Sequence, residues 1–299
     1  MSGVVLTDLE KEWEKEDWQL LQDAVRFFES DSFFKRISSK INVPVEGLMS
    51  KIPDGLGDKI DQASRIAVAK ALSIAVMTIS NNKNFSKESD PLKKSKGWLH
   101  KSLAGVSGAL GGSMGLASML MELPISTGII LRSIASIASE FGEDINDPDV
   151  LVECMCVFGF GSQGRSPERS DETSTSYNLE KMALSKAAID AKSFLGSYNA
   201  KQTLKSIEMA SAPAIMNFVT AVANRFKINI TYKGIFKSVP VFGALSGAAV
   251  NVAFTDYYMD VARFHFGLRA LSRNYSADMV ERAYEKIAHS LFDGENLKK

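Results

Sequence analysis

The chain has 299 residues, and its 35 Lys plus Arg balance 35 Asp plus Glu for a formal net charge of +0. Apolar residues make up 45% and charged residues 23%, which excludes a disordered, collagenous or disulfide-stapled chain, and the even charge balance excludes the excess positive field on which nucleic-acid binding leans. With 8 prolines and long Ala/Leu/Ile/Lys/Glu stretches, helix breakers are few, so the expected fold is all-α, a multi-helix bundle with central Gly/Ala-rich apolar helices, forming a single domain over residues 1–299.

The N-terminus runs from Met-Ser-Gly-Val-Val-Leu-Thr-Asp into acidic residues without the charged-then-apolar pattern of a leader, so a cytoplasmic location is expected. Thr7 and Glu10 form a capping-box pair, and Trp13, Leu20, Leu21, Ala24, Val25 and Phe28 recur at helical spacing, predicting a helix to about Glu29. Met1 to Ser30 holds eight acidic and three basic residues, a local charge of −5 that reads as a solvated amphipathic face. Phe33, Ile37 and Ile41 continue the helical spacing before Pro44, and a long Ala-rich helix is predicted from Leu56 to Ser80.

Residues 81–96 read as a basic loop. Between Asn81 and Lys101, six lysines face Glu88 and Asp90, a local charge of +4. Ser102 to Met121 follows, twenty residues without formal charge, after which Pro124 is expected to break the chain and start a helix ending at Gly142. Asp147 and Pro148 open a helix to about Phe158. Gly161 to Asn178 is polar and Ser/Thr-rich, the best candidate for a mobile insertion. Helices are predicted at about 179–195 and 204–226, the latter kinked or split at Pro213. Ile228 to Tyr232 has the composition of a short strand without a partner, and two helices follow, from Pro240 to about Ser272 and from Ala277 to Phe292.

Three segments resemble the EcsC family, bacterial proteins named for a member found beside an ABC-transporter operon. They are Gly108-Ala-Leu-Gly-Gly-Ser-Met-Gly-Leu, the stretch from Leu123-Pro-Ile-Ser-Thr-Gly to Glu140-Phe-Gly-Glu-Asp, and Val239-Pro-Val-Phe-Gly-Ala-Leu-Ser-Gly-Ala-Ala-Val-Asn. The resemblance spans about residues 60 to 275 and implies a helical domain, without implying an activity or a catalytic motif.

Gly108 and Gly112, Gly111 and Gly115, and Gly243 and Gly247 are each four apart, so each pair shares a helical face and admits a close helix crossing. Two readings compete. In one, these are central helices of a soluble bundle. In the other, the first segment and the Pro124 helix form a hairpin that lies on or enters a bilayer, with Lys93, Lys94, Lys96 and Lys101 attracting anionic lipid and Trp98 as the interfacial anchor. Arg132, set among Ile129, Ile130, Leu131, Ile134 and Ile137, is expected to be buried and to pair with Asp256 or Asp260, which lie one helical turn apart.

Two carboxylates one turn apart also suit a cation or acid–base work, but no further ligand is in register. His265 reads as a satisfied core or interface histidine, and Cys154 and Cys156, about 200° apart on a helix, read as buried apolar side chains. No cofactor or metal is expected. The leading expectation is a peripheral membrane-associated helical protein at the inner face of the cell membrane, whose partner is an anionic surface or a membrane protein. The alternatives are a soluble bundle holding a lipid or other hydrophobic ligand, and an unrecognised enzyme centred on Asp256, Asp260 and Arg132.

Overall fold

The computed structural model describes residues 10–41, 56–80, 115–161, 175–238 and 243–296. Among these the chain forms ten α-helices and no strand: α1 (Lys15–Glu29), α2 (Phe33–Ile41), α3 (Leu56–Ser80), α4 (Gly115–Glu140), α5 (Pro148–Cys156), α6 (Ser176–Ser197), α7 (Ala200–Glu208), α8 (Pro213–Ser238), α9 (Gly243–Tyr275) and α10 (Ala277–Asn296). The fold is therefore all-α. The basic loop, with Lys93, Lys94, Lys96, Trp98 and Lys101, lies outside the described residues, as do Gly108, Gly112 and positions 162–174 of the polar insertion.

At 33 residues, or about 50 Å, α9 is the axis of the bundle, packed against α1, α2, α4, α8 and α10. Phe254, Tyr257, Tyr258, Val261 and Phe266 bury a broad face of it, while Asp256, Asp260 and Arg263 keep a narrower face partly open to solvent. Helices α8 and α9 form an antiparallel pair: Asn229 donates to the Tyr258 hydroxyl at 2.8 Å, and one turn on, Lys233 Nζ lies 4.3 Å from the Phe254 ring centre. Helices α4 and α9 run parallel. Asn251 donates to Glu122 at 3.0 Å near their starts, and Arg269 donates to Glu143 at 2.9 Å near their ends, about 30 Å along the axis. Buried apolar side chains from all ten helices join in one cluster.

Several sequence expectations are revised. Thr7 lies outside the described residues; Glu10 is helical and the helix breaks before α1, whose N-terminal flank is Glu14, and a turn closed by Trp13 N–H to Glu10 carbonyl brings Trp13 onto Tyr275 at 4.3 Å between ring centres. Pro124 sits inside α4 and does not interrupt it. Proline removes one backbone donor, and burial of Leu123, Ile130, Leu131 and Ile134 carries the helix past it, while the Ser126 and Thr127 hydroxyls bond the Leu123 carbonyl.

Ile228 to Tyr232 is helical, because Ile215, Val219, Val222, Phe226 and Ile230 continue one buried stripe at three- and four-residue steps that overrides β-branched preference. The 204–226 segment is split at Pro213, one of the two outcomes expected, into α7 and α8. Ala210, at φ 49, ends α7 with Ser211 N–H bonded back to the Ser206 carbonyl, and Pro213 starts α8. Gly142 is the expected cap of α4, at φ 79. The polar insertion ends sooner than expected, since Ser176 already begins α6.

Candidate functional site

The polar chemistry of the described residues concentrates where the ends of α4 and α9 meet α5 and α6. Asp149 and Glu153 stand one turn apart on α5, whose start is fixed by the Asp147 carboxylate accepting from Asp149 N–H at 2.8 Å. Opposite them, His265, Arg269 and Arg273 rise in four-residue steps along α9. Arg269 donates through Nε to Glu143 at 2.9 Å and through Nη2 to Asp149 at 3.0 Å, with Nη1 at 3.5 Å from Glu153. Lys192 of α6 reaches Asp149 at 2.6 Å and Glu153 at 2.8 Å, and Arg273 reaches Glu143 at 2.5 Å. Three carboxylates thus meet three cations in a partly buried, charge-balanced network, where removing any one member strands its partners.

His265 lies beneath it, fully buried, with Nε2 3.2 Å from Glu153 and Nδ1 2.8 Å from the Tyr177 hydroxyl. Burial pushes the imidazole below its ordinary range, against the pull of Glu153, so the ring is neutral at pH 7. Its partners set the tautomer. The carboxylate only accepts, so Nε2 carries the proton, and Nδ1 accepts from the tyrosine. Burial works against ionisation of Glu153, but the pull of His265 and Lys192 wins and holds its carboxyl far below the usual carboxylate range.

Tyr177 is anchored from a second side. Glu29, buried at the end of α1, accepts from Ser176 N–H at 2.8 Å, Tyr177 N–H at 3.1 Å and the Tyr284 hydroxyl at 2.9 Å, placing a carboxylate at the N-terminus of α6. The nucleophile candidates are held inactive: burial pushes the Tyr177 phenol and the Cys154 and Cys156 thiols upward, so all three stay protonated.

Beside the network a pocket of about 600 Å³ opens between α6, α9 and α10. Tyr177, Leu268, Val280 and Tyr284 form its apolar floor, and Lys181, Arg269, Arg273, Glu143 and Glu281 supply its charges. Its size is that of a small-molecule site.

The residues singled out from sequence fall elsewhere. Arg132 is exposed: with Ile125, Ile129, Ser136 and Glu140 it forms the outward strip of α4, while Ile130, Ile134 and Ile137 take the buried face, so the apolar neighbours that implied burial lie around the helix from it. Asp256 and Asp260 do share a face, but it turns to α2, where Lys40 Nζ lies 3.9 and 3.8 Å away, and Arg263 pairs with Asp260 at 3.1 Å. Arg132 therefore pairs with neither, and the enzyme reading built on the three residues loses its basis. No cluster of His, Cys, Asp or Glu suited to a metal occurs among the described residues. His265 is the core histidine that was expected, bonded through Nδ1 to Tyr177 while Nε2 lies 3.2 Å from Glu153 without a well-aligned hydrogen bond, and both cysteines are buried.

Gly115, Gly243 and Gly247 fall in the opening turns of α4 and α9, which the Asn251–Glu122 bond sets side by side. Among the described residues, glycines in tight contact between helices include Gly128, where an added Cβ would stand 2.8 Å from Ile74 Cδ1 of α3, and Gly267, 3.2 Å from Leu20 of α1.

Sequence reasoning missed the ionic network; the signal that pointed toward it is a pair of ladders in four-residue steps, acids at 149 and 153 and His265, Arg269 and Arg273. The profile of the EcsC protein family matches residues 15–271, and the chain belongs to that family. No curated protein and no solved structure matches it.

Proposed function

We propose that this EcsC-family protein is a peripheral membrane-associated helical protein that supports an envelope or transport process through contact with lipid or a membrane protein. The observation that carries the reading is the convergence of the glycine-bearing starts of α4 and α9 at one end of the bundle. The sequence leading into α4 supplies the +4 lysine segment with Trp98 and the uncharged stretch from Ser102, and Ile125 near that end is 67% exposed. Each lysine near an anionic surface contributes about 1 kcal/mol, and an indole sits well at the headgroup level. No single described helix is long and apolar enough to cross a membrane, while one bent pair, Ala200–Glu208 with Pro213–Phe236, passes by length and composition alone. The anionic inner leaflet is the surface that suits the reading. Sedimentation of the purified protein with phosphatidylglycerol-containing vesicles, and not with neutral phosphatidylcholine vesicles, is the expected result; binding to neither removes the reading.

A second reading is a helical bundle that holds a lipid or other hydrophobic ligand. The pocket between α6, α9 and α10 favours it, about 30 Å along the bundle from the glycine-bearing end. Mass spectrometry of organic extracts from the native protein tests it directly: a stoichiometric amphiphile supports it, and a clean extract counts against it.

A further inference from the structure

We infer that the pocket between α6, α9 and α10 takes a single-chain amphiphile with one anionic head, a carboxylate or a phosphate monoester, with its head between Lys181 and Arg273 and its chain along Tyr177, Leu268, Val280 and Tyr284. The inference rests on the ligand-holding reading and names its ligand. Of the three cations at the pocket, Arg269 is turned into the network, donating to Glu143 and Asp149 with Nη1 3.5 Å from Glu153, so its charge is already met by three carboxylates. Arg273 is different. Its side chain is 46% exposed and commits one amino group to Glu143 and the other to the Phe141 carbonyl, so its Nε–H and the remaining amino hydrogens are available to an oxyanion. Lys181 is exposed at the rim, pairs with no carboxylate among the described residues, and holds its ammonium 6.0 Å from the centre of the Tyr177 ring.

The floor sets the other half of the ligand. Tyr177 and Tyr284 are pinned by their hydroxyls to His265 and Glu29, so their ring faces rather than their polar ends are presented to the pocket. Leu268 and Val280 complete an apolar wall that an alkyl chain covers and that a sugar or nucleotide leaves wet. Arg269, Arg273 and Lys192 are balanced by Glu143, Asp149 and Glu153, so the groups an anionic head meets at the rim are the Lys181 ammonium and the uncommitted donors of Arg273, with Glu281 beside them.

Isothermal titration with decanoate, decyl phosphate and decanol tests the inference on the full-length chain. Both anions should bind, and the uncharged alcohol at least about tenfold more weakly, since a charge-assisted hydrogen bond is absent. Lys181→Met should weaken decanoate about fivefold to tenfold with an unchanged far-ultraviolet spectrum, and Ser185→Trp, at the exposed mouth, should abolish binding of all three ligands. Equal binding of decanol and decanoate, both lost in Ser185→Trp, would overturn the anionic head while leaving the ligand-holding reading in place. No binding by any ligand would remove both. Vesicles containing phosphatidylglycerol then separate two sources of the same chemistry: a weaker vesicle affinity in Lys181→Met marks a membrane headgroup, and an unchanged one with weaker decanoate binding marks a free amphiphile.

Discussion

Removing the Glu29 carboxylate should be among the most damaging single changes in the bundle. Its side chain is fully buried and satisfies three donors at once, the Ser176 and Tyr177 backbone N–H groups and the Tyr284 hydroxyl, at 2.8, 3.1 and 2.9 Å. In Glu29→Ala each donor is left unpaired at about 1 to 3 kcal/mol, and the first turn of α6 also loses a favourable charge at its N-terminus. Ser176 is only half-buried and recovers part of its loss to water, so the total should be about 3 to 5 kcal/mol. For a chain of this size that corresponds to a melting temperature lower by about 6 to 15 °C, read by circular dichroism or calorimetry. Tyr284→Phe, which removes one donor together with its bond, should cost only about 1 kcal/mol. In the Glu29→Ala background the same Tyr284→Phe change should cost nothing further, because its hydroxyl has already lost its acceptor. A Glu29→Ala protein that melts within 1 °C of wild type, or strictly additive costs in the double variant, would refute the reasoning.

Stability should also fall in acid in two stages. The folded His265 titrates below its ordinary value, so as pH drops past about 6.5 the unfolded chain takes up a proton the folded chain refuses; below about 4.5 the unfolded chain also protonates Glu153, which the fold keeps ionised. Urea unfolding at pH 7.5, 5.5 and 4 checks the order, and a stability that rises on acidification would contradict it. Gly128→Leu should destabilise by about 1 to 3 kcal/mol, because a side chain there meets Ile74 across the α3–α4 contact; an unchanged urea midpoint would place those helices farther apart. Arg132→Met should stay within about 0.5 kcal/mol of wild type in the same assay, since its side chain is solvated, and a loss of several kcal/mol would mean a buried pair after all.

Local pattern carried the helices well where flanking signals agreed with apolar spacing. Pro53 and the Ala-rich period mark α3 at Leu56–Ser80, the range expected from sequence, and Asp147 with Pro148 marks the start of α5. It failed where burial decided against a local preference: Pro124 remains within α4, and β-branched Ile228–Tyr232 remains within α8, because each lies on a helix whose neighbours bury its apolar stripe. The site is harder to read for a different reason. Glu143 and Arg269 are 126 positions apart, and Glu29 and Tyr284 are 255 apart, so the pairs exist only once α1, α4, α9 and α10 have packed. Arg132 shows the reverse error, because a run of isoleucines on both sides says nothing about which way the intervening side chain turns until the helical phase is fixed.

The membrane reading meets its most direct test in the partition of the full-length chain onto vesicles containing about one-third phosphatidylglycerol, compared with a variant in which Lys93, Lys94, Lys96 and Lys101 are all Gln. At about 1 kcal/mol for each lysine near the surface, the four together contribute up to about 4 kcal/mol, so the partition coefficient should fall by up to about a thousandfold. The wild-type coefficient should itself drop steeply between 50 and 500 mM salt as the Debye length shrinks. Binding that is unchanged by the four substitutions and insensitive to salt would contradict the claim.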